Sequence, residues 1–131
     1  MGDYDARTLL AHEVETLGFL VSRHPLSLHA AAIRRSGAIA ARDLGKHVGR
    51  RVKVAGWYVT GKPVLTKKGE PMEFFSFEDT TALYETTFFP RTYDRFIARI
   101  SRTRPYLLTG RVEEEQGVVS LNVEEVDFLD R

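Results

Sequence analysis

The spacing of apolar residues changes near residue 50. Upstream of that point, Leu10, Val14 and Leu17 recur at helical spacing, with Glu13 and Glu15 on other faces and Gly18 as a stop. His24 leads into Pro25, whose fixed φ suits the first turn of a second helix. That helix is expected to carry Leu26, Leu28, Ala30 and Ile33 and to end near Ser36-Gly37. A short segment from Ala40 to Leu44 then leads to Gly49.

From Arg51 the apolar residues alternate as they do in strands. Val52, Val54 and Val59 mark the first strand, with Gly56 expected to bend it through a bulge. Gly61, Lys62, Pro63 and then Lys67 to Pro71 read as a turn-rich hairpin connection. Met72 to Asp79 is the second strand, Thr80-Thr81 a tight turn, and Leu83 to Phe89 the third strand. Pro90 opens a helix whose buried stripe is Tyr93, Phe96, Ile97 and Ile100. Tyr106 to Val112 and Val118 to Val126 are the last two strands, with Gly117 in the turn between them.

Three strands, a helix and two strands is the order of an OB-fold barrel. The expected architecture is therefore mainly β: a five-stranded OB-fold barrel at 49–131, preceded by an N-terminal helical segment at 1–48. The chain has 131 residues, 43% of them hydrophobic, which is one domain's worth with enough apolar surface for a core.

Composition narrows the function classes. There is no cysteine, which excludes disulfides, thiolate metal sites and a cysteine nucleophile. The four histidines, His12, His24, His29 and His47, fit no zinc spacing and no pair on one helix face. No Ser-His-Asp arrangement and no phosphate-binding Gly-rich loop is readable. Glu78 and Asp79 are adjacent on a strand and point to opposite faces, so they do not share an ion, and Asp79 reads as a turn-forming residue. No enzyme activity, metal or cofactor is expected. The N-terminus lacks a basic region followed by an apolar run, and no window approaches a span of about 20 apolar residues. A cytoplasmic protein with no membrane partner is expected.

The net charge of +1 hides a split. Residues 51–112 carry eleven Lys and Arg against six acids, and residues 113–131 carry one Arg against seven. A basic middle attracts phosphate.

Single-strand binding needs cations that track phosphates and exposed flat side chains that accept unstacked bases. Strand alternation places Phe75 and Phe77 with Tyr84, Thr86 and Phe88 on the core side. Phe74, Ser76, Glu85 and Thr87 are then the candidate binding surface. Phe74 either stacks on a base or packs beneath the N-terminal helices. Trp57 is either a stacking platform or core. Lys53 points outward on the first strand. Lys62, Lys67 and Lys68 are assigned to the following loop, where Lys67-Lys68-Gly69 is expected to hold phosphate by charge and by free backbone N–H groups. Arg111 either reaches the same groove or pairs with Glu113 or Glu115.

These residues carry a resemblance. Lys67-Lys68-Gly69-Glu70-Pro71-Met72-Glu73-Phe74, then Phe77-Glu78-Asp79 and Phe89-Pro90, resemble the OB domain of the bacterial DNA polymerase III alpha subunit family. Val54-Ala55-Gly56-Trp57 and Gly110-Arg111-Val112 fit its first and fourth strands. Glu15-x-Leu17-Gly18-Phe19 and Ser22-x-His24-Pro25-Leu26 resemble the helical segment ahead of it. The pattern from Phe74 to Asp79 also resembles the anticodon-binding OB domain of aspartyl-type tRNA synthetases, where the Phe stacks on a base. The first resemblance implies a non-catalytic module that binds single-stranded DNA, with other polymerase domains or replisome subunits as partners. RNA, or a purely structural protein-interaction role, are the alternatives. The palm, the fingers and the palm's metal-binding carboxylates have no counterpart in this sequence, so the chain reads as an excised domain or a free-standing relative.

Overall fold

The computed structural model describes residues 24–130. The helix expected around Leu10 to Leu17, His12, and the family-like segment Glu15 to Phe19 lie outside the described residues. Five strands form one closed barrel in the order β1-β2-β3-β5-β4. They are β1 (Arg51–Leu65), β2 (Pro71–Glu78), β3 (Leu83–Phe88), β4 (Pro105–Glu115) and β5 (Val118–Phe128). All pairings are antiparallel except β3 with β5. Between β3 and β4 runs helix α2 (Pro90–Phe96), and α1 (Ala30–Ser36) precedes the barrel.

The core follows from alternation. Val52 and Val54, Phe75 and Phe77, Tyr84, Thr86 and Phe88, Tyr106, Leu108 and Val112, and Leu121 and Val123 are all buried. Each fully buried Phe contributes about 2–3 kcal/mol through the area it removes from water. Pro90 starts α2 as expected, and Phe96 is buried with Tyr93, Ile97 and Ile100 packed on the barrel core. Gln116 and Gly117 both have positive φ, the signature of a two-residue hairpin turn between β4 and β5.

Several sequence expectations need correction. The first strand does not end at Gly61: β1 runs on to Leu65, with Gly61, Lys62 and Pro63 paired to Phe75, Phe74 and Glu73. Pro63 is tolerated because the β1–β4 ladder stops at Trp57, so that among the described residues the far half of β1 has no second strand that needs its N–H donor. The irregularity in β1 falls between Tyr58 and Thr60, not at Gly56. Gly56 is a close-approach position, where an added Cβ would sit 2.7 Å from the Tyr84 hydroxyl. That hydroxyl donates to the Ala55 carbonyl at 2.8 Å.

The second helix is in two parts. Pro25–His29 is a 3₁₀ turn and only Ala30–Ser36 is α-helical, which leaves Leu28 exposed. His24 caps the first turn through Nδ1, which accepts from Leu26 N at 3.0 Å, and Gly37 ends α1 with φ +81°. A further 3₁₀ helix, Ala41–Lys46, sends Ala41 and Leu44 into the barrel core.

Asp79 ties this segment down. Its Oδ1 accepts from Thr81 N, Thr81 Oγ1 and Ala82 N, and its Oδ2 accepts from Ala41 N at 2.7 Å. One carboxylate thus shapes the β2–β3 turn and starts the 3₁₀ helix that plugs the barrel, in keeping with its reading as a turn residue.

Candidate nucleic-acid interface

The outer face of β2 and β3 carries Phe74, Ser76, Glu85 and Thr87, but Ser76, expected to be exposed, is buried. Register sets their neighbours: Lys62 stands opposite Phe74 and Phe74 opposite Thr87, while Thr60 stands opposite Ser76 and Ser76 opposite Glu85. Directly paired residues point to the same side of a sheet, so Lys62 and Phe74 share the outer surface. The strand extension that removes Lys62 from the loop therefore places a cation beside the exposed ring.

Phe74 is 43% exposed, whereas Phe75 and Phe77 are buried. Its ring borders an open pocket of about 360 Å³ lined also by Glu85, Thr87, Gln116, Val118 and Ser120. One wall of that pocket is the β4–β5 turn, which strand alternation alone does not connect with Phe74. Only the parallel pairing of β3 with β5 brings the two together. Glu85 accepts from Ser76 Oγ at 2.9 Å and Glu115 lines the same pocket, so the floor is acidic.

Lys67 and Lys68 project from the turn that joins β1 to β2, beyond the last rung Leu65–Pro71, which itself lies about 10 Å along the strand from Phe74. The backbone N–H groups there are not free, contrary to expectation. Gly69 N donates to the Thr66 carbonyl, and Lys68 N and Glu70 N donate to Thr66 Oγ1. Thr66 holds the turn closed, and Gly69, at φ +82°, completes it. What this turn offers to phosphate is the charge of two lysines.

The other expected site residues lie elsewhere. Trp57 is half-buried on the outer face of β1, packed with Ala32, Ile33 and Leu107 against the buried cluster of Leu26, Ala55 and Leu129. Among the described residues, the N-terminal segment covers this patch. Lys53 and Arg111 lie on the outer face of β1 and β4, away from Phe74. Arg111 pairs with neither Glu113 nor Glu115: its Nη1 donates to the Gly49 carbonyl at 2.7 Å.

No group of three or more metal-ligating side chains occurs among the described residues, and none of their helices is long and apolar enough to cross a membrane.

Comparison with known proteins decides the family resemblance. The chain is 32% identical to an error-prone DNA polymerase of Symbiobacterium thermophilum over 133 residues, covering 99% of this chain and 12% of that protein. It is 29% identical to DNA polymerase III subunit alpha of Bacillus subtilis, covering 93% of this chain and 11% of that protein. The same subunit of Saccharopolyspora erythraea is 29% identical over 91% of this chain and 10% of the relative. The module is an OB-fold similar to one short segment of bacterial DNA polymerase III alpha subunits. The chain spans about a tenth of the length of these relatives. No protein-family model matches it. Among solved structures, a domain of replication protein A from Methanococcus maripaludis superposes with a TM-score of 0.51 at 13% identity, over 62% of this chain and 85% of that one. An OBody bound to hen egg-white lysozyme gives 0.55 at 20% identity, over 72% of this chain and 93% of that one. These two likenesses bear on the fold alone.

Proposed function

We propose that this OB-fold module binds single-stranded DNA, without catalysis, on the outer face of β2 and β3. The observation that carries the reading is the exposed Phe74 ring with Lys62 directly across from it. A flat ring accepts an unstacked base, and an adjacent cation meets the phosphate of the same nucleotide. Lys67 and Lys68 extend the positive track beyond the ring. Trp57, half-covered by the N-terminal segment, has a packing role in this reading. Similarity to a short segment of polymerase alpha subunits supports a place beside a template strand, with neighbouring polymerase domains as partners. Titration of a labelled oligo-thymidine of about 20 nucleotides across a salt series tests the proposal, with saturable, salt-weakened binding as the expected result.

A second reading has its own observation. Glu85 and Glu115 line the Phe74 pocket and repel phosphate. If the oligonucleotide does not bind at low salt, the pocket serves instead as a protein-docking surface within a polymerase assembly.

A further inference from the structure

A second set of cations gathers away from Phe74, on the outer face of the start of β1 and the segment that leads into it. Arg50, Arg51 and Lys53, together with His47, line an open groove of about 480 Å³ whose floor is Val52 and Thr109 and whose rim is Ser36, Gly37 and Ile39. The groove exists because Ile39 bridges to Val54 and its N–H donates to the Lys53 carbonyl, which holds the rim against β1. The lining contains no aromatic ring other than the His47 imidazole.

The arrangement of charge does not favour the barrel's own stability. Arg51 and Arg111 are direct cross-strand partners, so two guanidinium groups share one face. Like charges directly opposite are destabilising. The fold relieves this only locally: Arg51 Nε donates to Glu124 at 2.7 Å, and Arg111 donates to the Gly49 carbonyl. Arg50 and Lys53 have no carboxylate partner among the described residues. His47 Nδ1 donates to the Asp43 carbonyl at 3.0 Å, and Asp43 is itself engaged by Lys46, so that acid does not neutralise the groove.

We propose that this groove is a second nucleic-acid contact, one that takes the sugar-phosphate backbone of double-stranded DNA. A cationic groove with no stacking platform gains from phosphate density and not from exposed bases. A duplex supplies that density, with one negative charge about every 1.7 Å of its axis. The outer surface of the barrel then has two functions. The Phe74 side receives a single strand, and the Arg50–Lys53 side touches paired DNA. This inference extends the proposed single-strand reading but stands on different residues.

The test uses the full chain and a labelled duplex of about 20 base pairs, followed by anisotropy across a salt series, with the oligo-thymidine in parallel. Arg50→Ala/Lys53→Ala is expected to weaken duplex binding severalfold and to reduce the slope of log K against log salt by about two, one for each cation removed. Phe74→Ala is expected to leave duplex binding unchanged. Thermal melting by circular dichroism confirms that the variants are folded, and Arg50→Lys, which keeps the charge, is expected to bind nearly as the parent does. No duplex binding by the parent, or a folded double variant with the parent's affinity and slope, overturns the proposal. Loss of oligo-thymidine binding together with intact, Arg50- and Lys53-dependent duplex binding overturns the single-strand reading alone.

Discussion

Lys62 and Phe74 face each other across the β1–β2 ladder on the outside of the barrel. The pairing sets a cation and a half-exposed ring side by side at the centre of the proposed single-strand surface. If both meet the same nucleotide, their contributions are coupled. Lys62→Ala and Phe74→Ala are expected to give a non-additive double-mutant cycle for oligo-thymidine binding, with a coupling of about 0.5 kcal/mol or more. Two strictly additive losses would mean that the residues touch different parts of the strand.

The lysines of the β1–β2 turn act by charge alone, because Thr66 engages the backbone N–H groups of Lys68, Gly69 and Glu70. Lys67→Ala/Lys68→Ala is therefore expected to weaken binding to every sequence alike. The salt slope should fall by about 1.4, two contacts at the single-strand value of about 0.7 each. Anisotropy titrations at several salt concentrations measure it.

The sequence made most of the barrel legible because period-two alternation separates core from surface. Phe75, Phe77, Tyr84, Thr86 and Phe88 fall inside as the pattern requires, and Phe74 falls outside. Local chemistry misled at Gly61 and Pro63, which read as a turn. A free strand edge tolerates proline, and that freedom depends on where the β1–β4 ladder ends. Lys62 consequently reads as a loop residue from sequence. The sequence leaves open whether Arg111 shares a groove with Phe74, because alternation alone does not show how far a barrel rotates Lys53 and Arg111 away from that ring. Arg50 and Arg51 have no role legible in the sequence, since Arg51 meets Arg111 only through pairing with β4 and both line a groove that the Ile39 rim creates.

Asp79 joins two parts of the fold through four hydrogen bonds. Asp79→Ala frees the β2–β3 turn and uncaps the 3₁₀ helix at Ala41. Bonds to a charged acceptor are each worth about 1.5–3 kcal/mol, and neighbouring losses overlap, so a total cost of about 3 kcal/mol is expected. Urea unfolding of the parent and the variant measures the difference. A change below about 0.5 kcal/mol, the range of an ordinary surface substitution, would contradict this role.

Glu73 gives the fold a pH signature. Partial burial raises its pKa above the ordinary 4.5, and a hydrogen bond from Tyr93 opposes the rise. The folded state therefore holds this proton more tightly than the unfolded state. The resulting stabilisation is complete below the ordinary value and is lost as pH rises through the raised one. Glu73→Gln keeps a neutral side chain. Its stability relative to the parent is expected to increase from pH 4 toward pH 7, as read from urea midpoints, about in the window where glutamates titrate. A constant difference across that window would refute the assignment.

The most direct test of the central claim is the affinity of the parent and of Phe74→Ala for a labelled oligo-thymidine at low salt. Phe74 is 43% exposed, so its truncation leaves the core intact and the variant is expected to melt with the parent. Stacking of one base is worth about 1–3 kcal/mol, so the variant should bind about 5- to 150-fold more weakly. Equal affinity of parent and variant, or no binding by either, would contradict a single-strand surface on β2 and β3.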